Sequence, residues 1–436
     1  MRVTRSSSSS RFSWQKAPKG VPITAAQEPS TPSRRDQVGA AVVGSVVTAI
    51  VLFLVCEWGT VRHMNDFFTE AAPAYRALAH GHLLQFLRIG PAYVSSLLLR
   101  APFALLALAL GGGTRAVYFA TALPCLIAGP ILGAWLVGQP RRIVGTGFAS
   151  RISPMVLCIV NPIVVTSIID GHPEDVLTAV LCVAAVIQAV RGKTTWAGVL
   201  IGLALDNKSW AIVAVPVVFA VMPAARRRAL VAMVVTAGAV LLPVLLARIG
   251  TGGGSLSAAA AGSDLGSQVG SIFLIPQLLW WFGRNAWIVR EAHYMIVVVC
   301  AAVAAAWWAL RGRRRPFADN PDPGEALLLL VLIFLLRASL DPWDNIYYNV
   351  PFLFAVMAYE ARRPPRLTVL FTCLLLIVVP PQLFNMTPNA RAAMYAAAII
   401  PTILWLAARV FVAPEAWDRF RTLPSPSFRL ARRAAS

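Results

Sequence analysis

The stretch that decides the fold is Val38–Glu57, "VGAAVVGSVVTAIVLFLVCE", followed after Trp58-Gly59 by "NDFFTEAAPAYRALAHGHLLQF" at residues 65–86. The first part is an apolar run about 20 residues long, enough to cross a bilayer as a helix. The second is too short to fold as a soluble domain and reads as an amphipathic cap lying on the membrane surface. Asp66 stands eight residues after Trp58. A carboxylate there, on a chain this poor in acids, points to a catalytic base at the outer face of a membrane.

Composition agrees with the opening run. Hydrophobic residues make up 58%, charged residues 13%, and mean hydropathy is +0.67; soluble domains carry roughly 25% charged residues. Further apolar segments fall near 91–110, 115–138, 150–169, 175–190, 196–222, 229–248, 291–310, 325–340, 346–361, 367–384 and 391–412. Backbone polar groups in lipid must be satisfied within the segment, so these runs predict helices; the short alternating segments of a β-barrel are absent. The expected fold is all-α: a polytopic bundle of about 10–12 transmembrane helices with short outer interfacial helices.

The net charge of +20 does not indicate nucleic acid. The basic residues cluster at Arg141-Arg142, Arg191/Lys193, Arg226–Arg228, Arg311–Arg315 and Arg362/Arg363/Arg366, between apolar runs, as cytoplasmic loops do. Only four of the 39 basic residues are lysine, and that bias fits a GC-rich bacterial genome. The six cysteines lie singly in apolar segments without a CxxC pair and read as small buried hydrophobes. Residues 1–37 read as a disordered basic cytoplasmic tail, 38–413 as one transmembrane domain and 414–436 as a second basic cytoplasmic tail. The expected location is the plasma membrane.

With the basic clusters and tails inside, the outer loops are 59–90, 170–174, 249–290, 341–345 and 385–390. Two stretches strain the alternation. Residues 91–138 should cross an odd number of times yet show two runs. Residues 196–222 should enter and leave on one side, and "LDNKS" breaks them at their middle. A re-entrant hairpin is expected there, with a cavity beside Asp206-Asn207-Lys208. "SIFLIPQLLWWF" at 271–282, with Trp280 and Trp281, reads as an interfacial helix.

Three polar clusters then share the outer face: Asp66 with Glu70, His63 and Arg62; "DGHPED" at 170–175; and "RASLDPWDNIYY" at 337–348. Ionisable groups at membrane helix ends mark function. No phosphate-binding loop is present: "RGKTT" has Ile187 where the motif needs Gly. Neither HExxH nor an Asp-x-Asp pair occurs, and no metal or cofactor is expected. His172 beside Glu174 and Asp175 has the donors for a metal, but Pro173 followed by two acids equally describes a helix start that suits the dipole. One carboxylate base plus positive charge suits sugar transfer from a polyprenyl phosphate. The base takes the acceptor hydroxyl's proton, and cations stabilise the departing lipid phosphate.

The chain here resembles the GT-C superfamily of integral-membrane glycosyltransferases, and within it glycosyltransferase family 87. The resemblance rests on "NDFFTEAAPAYRALAHGH" (65–82), "PAYVSSLLLRAPFALLAL" (91–108), "GHPEDVLTAVLCVAAVIQA" (171–189), "GVLIGLALDNKSWAIVAVPVV" (198–218) and "DPWDNIYYNVPFLFAVMAYEA" (341–361), in that order. It implies a hexosyltransferase that moves a sugar, mannose being expected, from a polyprenyl-phosphate donor to an envelope lipid or glycan, with Asp66 as the general base. The family's late-loop histidine has no match here; His293 is the nearest in sequence. Arg62, Arg100, Lys208 and Arg337 are the expected donor-phosphate contacts; His172, Glu174, Asp341, Asp344, Asn345 and Tyr348 are the expected substrate contacts. The expected partners are the lipid-linked sugar, its acceptor and membrane lipids. The competing reading is a transporter or flippase of a lipid-linked sugar, which a broken helix and intramembrane charges would also serve.

Overall fold

The computed structural model describes residues 34–57, 66–91, 93–137, 156–222, 225–249, 286–312, 323–340, 345–361, 365–379 and 388–412. Arg62, His63, Asp341, Asp344, the 271–282 segment and the clusters at 141–142 and 362–363 lie outside them. The described residues form helices and turns and no strand, and the chain is an all-α polytopic membrane protein.

The helices follow the apolar runs. They are α1 (Arg34–Glu57), α2 (Ala72–Ala79), α3 (Leu83–Ile89), α4 (Val94–Ala109), α5 (Thr114–Val137), α6 (Pro162–Ile169), α7 (Glu174–Val190), α8 (Thr194–Asn207), α9 (Val215–Val221), α10 (Arg226–Arg248), α11 (Ala286–Gly312), α12 (Pro323–Leu340), α13 (Val350–Glu360), α14 (Arg366–Val378) and α15 (Pro388–Phe411). Among the described residues α5, α10, α12 and α15 are long and apolar enough to cross a membrane. The 150–169 run is interrupted at Asn161-Pro162. Asn161 accepts from the Ile163 amide at 2.9 Å, and Pro162 occupies the first helical position, where it gives up no hydrogen bond.

The order of burial separates centre from rim. Along α12 every residue from Ala326 to Leu335 is buried, an all-round apolar helix at the heart of the bundle. On α10, Leu230, Val231, Val234, Val235, Leu242, Leu245 and Leu246 are exposed, a surface suited to lipid.

Small residues set the packing of α8 on α10. A Cβ added at Gly198 would stand 2.3 Å from the Ala229 carbonyl oxygen, and one at Gly202 would stand 2.9 Å from that of Met233. The backbones therefore touch, as small-xxx-small pairs allow in membranes. Contacts advance together along both helices, so α8 and α10 run parallel. The chain leaving α8 at Asn207 must then return before α10 begins. It does so through a 3-10 turn, Ser209–Ala214, and α9. These rise about 22 Å, matching the ~21 Å of the 14-residue α8. The expected hairpin over 196–222 is thus present. Its arms both pack on α7 and make no extensive contact with each other.

The same reasoning resolves 91–138. The start of α4 is tied to the end of α8 by a hydrogen bond from Ser96 to Asn207 Oδ1 at 2.6 Å. Its end passes through the turn at Gly111 (φ 76°) into α5, where Tyr118 donates to the Ile168 carbonyl at 2.6 Å, just before the 170–173 loop. Both ends of α4 lie at one end of the bundle, and α5 alone runs its length, with Gly129 reaching Cys158. Two apolar runs yield one traverse.

Replacing Gly198 by Ala drives a methyl group into the Ala229 backbone. The expected cost is about 1–3 kcal/mol, read as a fall of several degrees in melting temperature in detergent. A Gly39→Ala control, with nothing near its added Cβ, should leave it unchanged.

Candidate active site

The site forms where α7 starts, α8 ends and the cap meets them. Glu174 and Asp175 open α7, and neither is more than 1% exposed. The amide dipoles of the first turn favour their charge, and three cations meet them. Glu174 Oε1 lies 3.0 Å from Lys208 Nζ and 3.0 Å from His172 Nδ1; its Oε2 lies 3.3 Å from Arg100 Nη1. Asp175 accepts from Trp210 Nε1 at 2.7 Å and sits 3.8 Å from Lys208. The hairpin tip is fastened beneath: Asn207 Nδ2 donates to the Glu174 carbonyl and to Thr178 Oγ1, both at 2.7 Å. Lys208 is extended (φ −150°), which ends α8 and turns the ammonium toward the acids.

Asp66 completes the arrangement from the other side. It has helical backbone angles and makes no side-chain cap to the π-helical turn Phe67–Ala71 that follows. Its carboxylate instead meets His172: Oδ2 to Nε2 is 2.6 Å. The Asp66 side chain is 46% exposed while that of His172 is 7% exposed, so the carboxylate is the end of the chain of charges that opens outward. Glycine makes the approach possible. Gly171 has φ +85°, and an added Cβ there would lie 3.1 Å from the Phe67 amide nitrogen. Any side chain would strain the turn and push the 170–173 loop off the cap. Irregular helix geometry of this π kind gathers at functional sites.

Aromatic rings close the site. Tyr347 lies over the His172 ring with centroids 4.7 Å apart, and Tyr93 meets it edge-on at 6.1 Å. The Lys208 ammonium sits 4.3 Å above Tyr93, whose hydroxyl donates to Glu70 at 2.7 Å. Arg337 is buried and stands off from the charge cluster. Its guanidinium lies between Trp210 (4.9 Å) and Tyr348 (4.6 Å) and donates to the Tyr348 carbonyl at 3.0 Å. Asn345 donates to the Tyr347 hydroxyl at 3.2 Å.

Asp66, Arg100, His172, Glu174 and Lys208 therefore converge: Asp66 and the 170–175 stretch come from two of the polar clusters, Arg100 from an apolar run and Lys208 from the broken segment. Arg337, Asn345 and Tyr348 join them through Trp210 and Tyr347. Tyr93 and Trp210 escape a sequence reading, while Asp175 and Tyr347 stand inside the polar stretches it marks but carry no expected substrate contact. Asp175 looks like dipole decoration beside Glu174, and the aromatics look like membrane-belt residues. The adjacency Lys208-Ser209-Trp210 at a broken helix was the available signal for Trp210.

The electrostatics follow from contact. The hydrogen bond from His172 outweighs partial burial and holds the Asp66 carboxyl below its ordinary 3.8. Burial and Lys208 both oppose charge on His172. The hydrogen bonds to Asp66 and Glu174 overcome them and raise it from 6.5 to about 9. Burial pushes the neighbouring Asp170 up. His172, Glu174 and Asp175 also bring donor atoms within 4.8 Å of one another. An entering metal ion would have to displace Lys208, which already holds both carboxylates.

A family model described as "Alpha-(1->6)-mannopyranosyltransferase, N-terminal domain" (the MptA_B family) matches residues 103–226, less than a third of the chain. That stretch carries His172, Glu174, Asp175, Lys208 and Trp210. The match supports a membrane mannosyltransferase and does not single out family 87. No curated protein and no solved structure matches the chain.

Because His172 is held above its unfolded value, its contribution to stability is fully present below pH 6.5 and is lost as pH rises through about 9. Melting temperature measured across that range should fall on the alkaline side in the wild type. His172→Gln should be lower at pH 6 and flatter toward pH 9.5.

Proposed function

We propose that the chain is a GT-C-type hexosyltransferase that moves mannose from a polyprenyl-phosphate donor to an envelope lipid or glycan on the outer face of the plasma membrane, with both tails cytoplasmic. The observation that carries this reading is the half-open Asp66 carboxylate, backed by buried cations within a stretch that matches a mannosyltransferase family. Family 87 remains the subgroup whose ordered motifs the chain resembles.

The chemistry is a displacement at the anomeric carbon. The acceptor oxygen forms its bond to C1 as the bond from C1 to the phosphate oxygen breaks; the acceptor's proton passes to Asp66, and the lipid phosphate leaves with the bonding electrons. Such transition states resemble an oxocarbenium ion. The nucleophile's proton is lost late, so a carboxylate kept ionised at neutral pH suffices even with a lowered pKa. Lys208, whose side chain is 13% exposed, is the most exposed of the three cations around Glu174 and the proposed phosphate contact. Arg100, more deeply enclosed, neutralises Glu174 and keeps that field in place. Arg337 orders the aromatic wall. Tyr348 and Asn345 are the proposed sugar contacts; Asp341, Asp344 and Arg62 lie outside the described residues and keep the substrate and phosphate roles expected of them from sequence. The reaction as written needs no cofactor.

The test is transfer of radiolabelled mannose from polyprenyl-phosphomannose to native envelope lipids by purified protein in liposomes. Asp66→Asn should reduce turnover at least ~100-fold at equal protein level, while collapse of any ion gradient leaves wild-type transfer unchanged. Labelled donor crossing the bilayer without a new glycosidic bond would favour the flippase instead.

A further inference from the structure

We propose that His172 is the positioning residue of the transfer: its ring bridges Asp66 and Glu174, holding one oxygen of the base so that the other is presented to the acceptor. This rests on the reading of Asp66 as the base.

The geometry assigns the role in three steps. Asp66 lies at the open edge of the site, and its own helix does not hold it, since no cap bond forms. Free in water, such a side chain would populate several rotamers. Among the described residues its side chain is tethered by His172, through Oδ2 at 2.6 Å. The ring that makes this tether is itself fixed on every side. Nδ1 faces Glu174 Oε1 at 3.0 Å, Tyr347 covers one face, Tyr93 meets the edge, and Gly171 brings the backbone within reach of the cap. A locked tether turns an exposed carboxylate into an oriented one, which is the source of most of the advantage that intramolecular catalysis enjoys.

The protonation state follows from the partners. An ionised carboxylate only accepts hydrogen bonds. Both ring nitrogens face carboxylate oxygens, so both donate, and the ring is an imidazolium. Its charged and titratable surroundings are Asp66 on the cap, Asp170 on the same loop, Glu174 and Asp175 on α7, Lys208 at the hairpin tip (3.5 Å from Nδ1), Tyr93 before α4 and Tyr347. Because the ring has no vacant nitrogen, it does not take the acceptor's proton. That proton stays on Asp66 until solvent removes it, and the ring's charge persists through the step. His172 thus acts through Asp66 without touching the reacting atoms.

The experiment compares wild type, Asp66→Asn, His172→Gln and His172→Ala in the mannosyl-transfer assay, with full kinetics from pH 6 to 10. The expected result is a kcat for His172→Ala lowered at least 10-fold with KM for donor and acceptor within twofold of wild type. Added imidazole should restore a measurable part of that kcat. His172→Gln, which keeps a neutral donor, should retain more activity than Ala and lose the wild-type decline above pH 9. Wild-type kcat and pH profile in His172→Ala, with Asp66→Asn inactive, would overturn this inference alone. A His172→Ala enzyme that is present, inactive and deaf to imidazole, with Gln no better than Ala, would also overturn it. Full activity in Asp66→Asn would remove the base itself, and this inference with it.

Discussion

A carboxylate with no exposed surface must find its positive partners inside the fold, and Glu174 is that carboxylate. Isolated burial of such a charge would cost several kcal/mol. Three elements far apart in sequence answer it: α4 brings Arg100, the tip of the α8–α9 hairpin brings Lys208, and the 170–173 loop brings His172. Removing any one leaves an uncompensated charge, so each element fixes the others. The cap is joined to the cluster because the histidine that answers Glu174 with one nitrogen answers Asp66 with the other. A buried ion pair of this kind is weak evidence for stability; its value here is to set positions.

The bundle supplies the ends that this cluster needs. Gly198 and Gly202 let α8 lie directly against α10, and the resulting parallel run forces the return through the 3-10 turn and α9. Lys208 sits at the apex of that return because helix hydrogen bonding stops there, freeing an ammonium where an unbroken helix would have buried apolar side chains. α4 contributes in the same way. By starting and finishing at one end of the bundle, it presents Ser96 and Arg100 to the site and leaves the traverse to α5.

Much of the fold was legible in the chain. Apolar run lengths place the helices within a few residues, Asn161-Pro162 aside, where a capping side chain divides one run into two. The charge pattern pointed to a hairpin over 196–222, which the described residues form, and left 91–138 unresolved, where α5 but not α4 is long and apolar enough to cross. The character of α4 was hidden, since a 16-residue apolar helix looks the same whether it crosses or lies across. In the site, the acids and bases were visible because ionisable groups are scarce in this composition. Their pairing was not: nothing in "DGHPED" tells that His172 turns to Asp66, 106 residues away. That contact depends on a positive φ at Gly171 and on a cap residue that declines to cap. The aromatic wall was invisible for another reason. Tyr and Trp at helix ends serve the membrane interface so often that their position says little.

The measurement that tests the account most directly is a structure of the protein in lipid nanodiscs with a non-transferable phosphonate analogue of polyprenyl-phosphomannose. The account predicts the phosphonate beside Lys208, with the anomeric carbon facing the open oxygen of Asp66 and room for an acceptor hydroxyl within about 3 Å of it. A donor seated at the opposite end of the bundle, near the Glu360 side chain that caps α14, would contradict it. So would a phosphonate at the Lys208 end with the second oxygen of Asp66 turned away from the anomeric carbon.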